Sequence, residues 1–478
     1  MRIQSLLPAL SAFFIISCGC SSKDGGKQEP TLEPEPSVEE PQYEFIDGVV
    51  VPNENQIAWA DAEIGVIIHL DMQVFKPGYD WEKFGTHPSA NIFNPTLLDT
   101  DQWLQAAQSL GAKYAVLVAK HCSGFSLWPT KAHSYSVASS PWRDGKGDIV
   151  ADFIASCQKF GIKPGIYASA QANGYLHVAQ PGRPAASSKI TQNEYNAIVE
   201  QQLTELWTQY GDLFEIWFDG GIIPTSQGGP DLLPLLMEYQ PNAIVFQGPM
   251  GFPNLLRWIG NESGNAPWAC WATAPSTTNS SGEAVIDDYS GDPNAPYWCP
   301  GEADFPLRLN SSYLAGWFWH EGQDSQIFPT DQLLKKYESS VGRNTNMLVG
   351  MVIDKRGLVP DADVERFAQF GNAIRQKYGT PYAVTSGTGE KITLTFDHPV
   401  TIDHLYIQEN IRYGERVLQW HIDGLIPGKG GKRLASGSCV GHKKIVNFAP
   451  ETVTEISFVV DKAKGMPIIR ELAVFEEQ

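Results

Sequence analysis

The sequence predicts an α/β protein: a (β/α)8 barrel of the TIM type followed by a C-terminal β-sandwich. Three observations carry this. Between residues 56 and 378, short apolar β-rich runs alternate with amphipathic stretches of helical period. Eight such runs occur, the number that closes a parallel barrel. After Tyr378 the helical period stops, and alternating strands punctuated by Gly and Pro fill the rest of the chain.

The predicted barrel strands are 64–70 (IGVIIHL), 114–120 (YAVLVAK), 163–169 (KPGIYAS), 214–220 (FEIWFDG), 243–248 (AIVFQG), 257–262 (RWIGNE), 315–320 (AGWFWH) and 346–352 (NMLVGMV). Near-continuous apolar runs are what strands covered on both faces require. Helical patterns at 99–110, 148–160, 191–210, 230–239 and 329–341 fall between them, and 361–377 closes the set. Asp148 and Thr191 stand where an N-cap is expected. The link between the fifth and sixth strands is short, so an irregular pair is expected there. The barrel domain is assigned to 44–378 and the sandwich to 379–478, with strands at 391–396, 404–409, 444–448 and 455–460.

The N-terminus predicts export. Arg2 precedes an apolar run, Leu6 to Ile16, too short to span a bilayer but shaped like a signal peptide. Ile15-Ile16-Ser17-Cys18 has the pattern of a bacterial lipobox, making 1–17 the signal peptide and Cys18 the lipidated residue. Residues 18–43, rich in Pro, Glu, Ser and Gly, bury too little apolar surface to fold and form a tether. Ser22-Lys23-Asp24 is similar to the export tag of some surface lipoproteins. The expectation is an outer-membrane lipoprotein, periplasmic or at the cell surface, that touches the membrane through its lipid anchor alone.

Composition excludes other classes. A net charge of −19 without a basic run argues against nucleic acid, whose phosphates need Lys and Arg. Fourteen Trp supply flat rings, either for the C–H faces of sugars or for filling a barrel core. Of seven Cys, five lie scattered in the folded part without a CxxC pair; neither a disulfide framework nor a zinc site is indicated, although a bridge between Cys270 and Cys299 stays open.

Active sites of such barrels lie at the C-terminal ends of the strands. The polar residues there are His69, Asp71, Lys120, His121, Asp219 and Glu262, with Trp319 and His320 ending the seventh predicted strand. Asp219 follows Glu215-Ile216-Trp217-Phe218 and precedes two glycines that let the backbone turn away, a natural position for a nucleophile. Glycoside hydrolysis needs two carboxylates across the scissile bond, and a retaining enzyme sets them about 5–5.5 Å apart. Glu262 is the preferred proton donor and Glu302, in Pro300-Gly301-Glu302-Ala303-Asp304, the alternative. Two carboxylates suffice for this chemistry, so no metal or organic cofactor is expected.

These motifs resemble a known family, the α-L-fucosidases of glycoside hydrolase family 29. The resemblance runs from about residue 58 to the C-terminus. It rests on Ile64-Gly65-Val66-Ile67-Ile68-His69, on Lys120-His121-Cys122-Ser123-Gly124-Phe125 and on Glu215-Ile216-Trp217-Phe218-Asp219-Gly220. FSLWPT (125–130), SPWRDGKGD (140–148) and RWIGNESG (257–264) look more like the subgroup that prefers branched α-1,3/1,4-linked fucose. The resemblance implies release of α-L-fucose from fucosylated glycans by a retaining exo-mechanism. It implies Glu262 as acid/base, His69 and His121 as ligands of sugar hydroxyls, and Asp80-Trp81 in place of a Glu-Trp pair that grips the fucose. Trp319 is taken as a further sugar-facing ring. Cys122 and Ser123 depart from the family's second His and Asp, Asp80 is one methylene shorter than Glu, and Leu70-Asp71 is unusual after the histidine. These departures leave two rival expectations: a β-galactosidase or mixed activity, and a non-catalytic surface glycan-binding lipoprotein.

Overall fold

The structure is a computed structural model and describes residues 43–278, 284–285 and 289–477. The signal peptide, Cys18 and nearly all of the tether lie outside the described residues. Among the described residues no helix is long and apolar enough to cross a membrane.

Eight strands form a closed barrel: β1 Ile64–His69, β2 Tyr114–Lys120, β3 Lys163–Ala168, β4 Glu215–Trp217, β5 Ile244–Phe246, β6 Leu255–Trp258, β7 Gly301–Pro306 and β8 Asn346–Val352. They pair in parallel in chain order, and β8 closes on β1 from Met347↔Ile64 to Val352↔His69. α1 Glu54–Ala60 precedes the barrel and packs against its interior, and the outer helices are α2 Thr100–Leu110, α3 Ile149–Phe160, α4 Gln192–Gln209, α5 Leu233–Tyr239, α6 Thr330–Ser339 and α7 Asp361–Tyr378. The caps act as their chemistry dictates. Asp148 accepts from Ala151 N at 2.9 Å, and Thr191 with Glu194 forms a capping box that satisfies donors at both ends of the first turn. No helix links β5 to β6, the irregular pair expected from the short connection.

Two strands differ from the sequence prediction. The seventh is 301–306, not 315–320. In the latter region Leu314 and Ala315 adopt left-handed φ of 46° and 55°, which kink the backbone, so the segment carries its aromatics as a loop. The sixth ends at Trp258, because Gly260 turns the chain at φ 82°; Glu262 therefore stands in a loop beyond the strand.

The barrel interior is a packed core with a polar floor. Gly65 leaves room for the Tyr114 ring: a Cβ there would lie 2.3 Å from it. Tyr114 in turn donates to Glu302 Oε1 at 2.7 Å, and Trp217 Nε1 donates to Oε2 at 2.9 Å. Trp59 Nε1 serves Glu215 in the same way at 3.0 Å. Burial raises both carboxyls, Glu215 and Glu302; the charge of Glu302 raises Glu215 further, whereas hydrogen bonds from Tyr114, Trp217 and Glu215 pull Glu302 down. Gly65→Ala is expected to lower stability by about 1–3 kcal/mol, because Tyr114 has no free space to retreat into. Chemical denaturation of the variant checks this.

The C-terminal domain is six antiparallel strands, β9 Ala383–Thr388, β10 Lys391–Glu409, β11 Val417–Ile426, β12 Gly430–Ser438, β13 Lys444–Ala463 and β14 Ile468–Glu476. β10 and β13 are long enough to run through two layers. One layer holds β9, β14 and the 402–409 and 444–447 halves; the other holds the 391–402 and 451–463 halves, β11 and β12. Register shifts in β10 near 395–404 mark the bend between them. Val400, Ile402, Trp420, Phe458 and Leu472 pack between the layers. The sandwich braces the N-terminal face of the barrel, opposite the mouth. His442 and Arg470 both meet Asp61, at 2.8 and 2.7 Å, and Glu415 Oε2 accepts from Ala272 N at 2.9 Å. Cys299 is a free buried thiol, so no bridge joins it to Cys270.

Candidate active site

The C-terminal ends of the strands converge on one cavity of about 220 Å³. β1 ends in His69 and β2 is followed by His121; both rings line the cavity. β3 contributes Tyr167 and β4 is followed by Asp219, whose Oδ2 accepts from the Tyr167 hydroxyl at 3.0 Å. Beyond β6, the exposed Glu262 stands at the mouth, and its Oε2 accepts from Trp317 Nε1 at 3.0 Å. β7 contributes Asp304, buried and held by Trp258 Nε1 at 2.8 Å.

Aromatic rings make the walls. His69 lies 5.1 Å from Trp317 and 5.2 Å from Phe318, measured between ring centroids. His121 lies edge-on to Phe318 at 5.1 Å and stacks on Tyr167 at 5.8 Å, 12° from parallel. Burial lowers His69 to about 3 and His121 to about 4, each helped by a neighbouring cation, protonated His121 and Lys120 respectively. Both rings are therefore neutral at physiological pH and each offers one donor and one acceptor, as a sugar hydroxyl requires.

Asp219 is held above the ordinary carboxylate range. Burial is the main cause; the Tyr167 hydrogen bond pulls the other way and the charge of Glu262 adds to the rise. The sign follows. A nucleophile acts as the anion, so activity is lost as pH falls through the raised value. Removing the neighbouring charge by Glu262→Gln favours the anion. The acidic limb of the residual activity on an activated aryl fucoside is expected to move to lower pH, measured as a pH profile of kcat/KM.

Of the residues singled out in the sequence, the cavity brings together Asp219, Glu262, His69, His121 and Trp81. It does not take in the others. Asp80 points to solvent, 3.3 Å from Lys83 and capping Glu82 N at 3.1 Å. Trp319 does not line the cavity; it packs partly buried against the core with Lys355 over its ring, because the loop after β7 presents 317 and 318 instead. Glu302 is fully buried in the barrel floor, clasped by Tyr114 and Trp217, and does not reach the cavity wall. Tyr167, Asp304, Trp317 and Phe318 line the cavity without having been singled out. Tyr167 was within reach of the strand-end rule; Asp304 was not, since its strand, 301–306, is not among the eight predicted.

His121, Cys122 and Asp219 bring one ligand-type atom each within 4.8 Å of one another. Burial, then the charge of Asp219, pushes the Cys122 thiol up to about 12, so at neutral pH it is a protonated, weak metal ligand.

The chain is similar to known proteins. The family model described as Alpha-L-fucosidase matches residues 51–379, the whole barrel. The chain belongs to the α-L-fucosidase family, glycoside hydrolase family 29. It is a glycoside hydrolase. Alpha-L-fucosidase 1 of Arabidopsis thaliana is 30% identical over 475 residues, covering 90% of this chain and 88% of the plant protein. A solved Bacteroides thetaiotaomicron protein, provisionally named an α-L-fucosidase, is 36% identical with a TM-score of 0.83, covering 90% of this chain and 99% of its own. A family 29 member from a rumen bacterium is 26% identical with a TM-score of 0.75, covering 90% and 77%. At 20% identity and a TM-score of 0.76, a Ruminococcus gnavus fucosidase solved with fucose shares the fold, covering 93% and 98%. The α-L-fucosidase barrel and the sandwich behind it thus recur together.

Proposed function

We propose that this α-L-fucosidase is a retaining exo-enzyme that removes terminal α-L-fucose from branched, α-1,3/1,4-fucosylated glycans. One observation carries the mechanism: Asp219 and Glu262 line a single cavity, Asp219 half-buried with a hydrogen bond from Tyr167 and Glu262 exposed with one from Trp317. Asp219 attacks the anomeric carbon. Glu262 protonates the departing oxygen, then takes a proton from the water that releases the sugar. Its exposure suits both tasks, because leaving group and water pass through the mouth. His69, His121 and Trp81 are assigned to the sugar itself. A cavity of about 220 Å³ is below the roughly 300–1,000 Å³ of sites for drug-sized ligands, which favours one sugar ring and hence terminal cleavage.

The test is sugar release by the tether-free enzyme from a branched fucosylated trisaccharide, a linear 1,2-fucosylated one and a β-galactoside, with the first-formed anomer followed by proton NMR. Fucose from the branched compound, appearing first as the α-anomer, is expected. Release of galactose, or of β-fucose, would overturn the reading.

The lipobox motivates a further assignment: Cys18 carries lipid and the tether holds the enzyme at the outer membrane. Wild-type chain expressed in a Gram-negative host is expected to take up labelled palmitate and sediment with membranes. Cys18→Ser is expected to lose both.

A further inference from the structure

We propose that Asp71 is a positioning residue that fixes the tautomer of His121, turning its second ring nitrogen into a set acceptor for a sugar hydroxyl. This rests on His121 being a ligand of the substrate.

Asp71 lies just beyond β1 and is 1% exposed. Its two oxygens have different lives. Oδ1 accepts from Ser123 Oγ at 2.5 Å and from Met72 N at 2.7 Å, so the carboxyl is clamped and cannot swing away. Oδ2 is buried with no hydrogen-bond partner among the described residues. The His121 Nδ1 is in the same condition, and the two atoms stand 3.9 Å apart. Two orphaned polar atoms facing one another, a donor and an acceptor by chemistry, are a hydrogen bond about 1 Å from closure.

The ring needs little movement to close it. His121 is confined between Tyr167, stacked on one face, and the edge contact with Phe318, so it slides more easily than it turns. Once Nδ1–H is held by Asp71, the lone pair of Nε2 is the group left to the cavity, and the tautomer is no longer free to exchange. Ser123 takes part through Asp71. Its short hydroxyl side chain is what leaves room to donate to the carboxylate, which ties the unusual residues at positions 71 and 123 into one unit. The charge of Lys120, which is buried and donates to Ala172 O at 3.4 Å, supports the ionised form of Asp71.

The decisive variant is Asp71→Asn. The amide oxygen keeps both clamps, but its NH₂ faces Nδ1 and imposes the opposite tautomer. The expected result for nitrophenyl α-L-fucoside is a fall in kcat/KM of about tenfold or more, carried mainly by KM, with Tm unchanged. Adding Asp71→Asn to His121→Ala should then cost nothing further, since a positioning residue has no effect once the residue it positions is gone. Equal losses in both backgrounds, or wild-type kinetics for Asp71→Asn, would overturn the proposal. Should the variant fail to fold, the wild type answers alone. Nitrogen NMR of His121 with L-fucose bound at about pH 8, above the value of about 7 to which burial pushes Asp71, should show the Nδ1–H form. The Nε2–H form would overturn it. A His121→Ala enzyme with unchanged KM would instead remove the premise, the assignment of His121 to the sugar.

Discussion

Asp219→Ala is expected to lower kcat by at least about 10⁴-fold on every α-L-fucoside while leaving the protein folded. The carboxylate forms the covalent bond to the anomeric carbon, and no other acid lining the cavity stands in its place: Glu262 is at the mouth, and Asp304 is turned to Trp258. The fold should not suffer. Burial already holds the Asp219 carboxyl in an unfavourable state, so its removal relieves desolvation at the cost of one hydrogen bond from Tyr167. Tm is expected to stay level or rise, as it does where an active site stores instability. Azide supplies the missing nucleophile from solution and should restore turnover of an activated aryl fucoside, giving the β-fucosyl azide through a single displacement. Steady-state kinetics, product NMR and thermal denaturation check the three parts. A variant retaining more than roughly a hundredth of wild-type kcat would mean that the nucleophile is elsewhere.

How cleanly a barrel strand is delimited in the sequence follows from what its two faces carry. β1, β2 and β8 are covered on both faces by apolar matter, and their continuous Val, Ile and Ala runs delimit them almost to the residue. β7 has the same architecture but a different inward face. Glu302 and Asp304 alternate with Ala303 and Phe305, so acidic groups in the barrel floor and cavity break the apolar run. The aromatic stretch at 315–320 then reads as the missing strand, although its rings are apolar because they wall a sugar-sized cavity from a loop. The error propagates to the site: with the strand displaced, Trp319 is singled out while Trp317 and Phe318 face the cavity. His69, His121 and Asp219 escape this: His69 ends β1, His121 follows β2, and Asp219 lies two residues beyond β4, inside the predicted run 214–220. Asp80 illustrates a different limit. Its place beside Trp81 is legible in the sequence, but the direction of its side chain depends on Lys83 and the local turn.

Glu262→Ala should produce a defect that depends on the leaving group. An acid/base contributes about 10²–10⁴-fold where the departing oxygen needs a proton, so natural fucosylated glycans should lose that much. A dinitrophenyl fucoside leaves without help, and its first step should be nearly intact. The second step then limits, because no base activates water, and fucosyl-enzyme should accumulate with a low apparent KM. Azide needs no deprotonation and enters from the side Glu262 has vacated. It should therefore accelerate turnover and yield the α-fucosyl azide, the opposite anomer to that from Asp219→Ala. Glu302→Ala provides the contrast. It strips the partner from Tyr114 and Trp217, leaving two buried donors unpaired at about 1–3 kcal/mol each, so its loss should appear as stability. If instead Glu302→Ala discriminates between leaving groups and Glu262→Ala does not, the proton donor sits in the barrel floor, and the mouth residue merely guards the entrance.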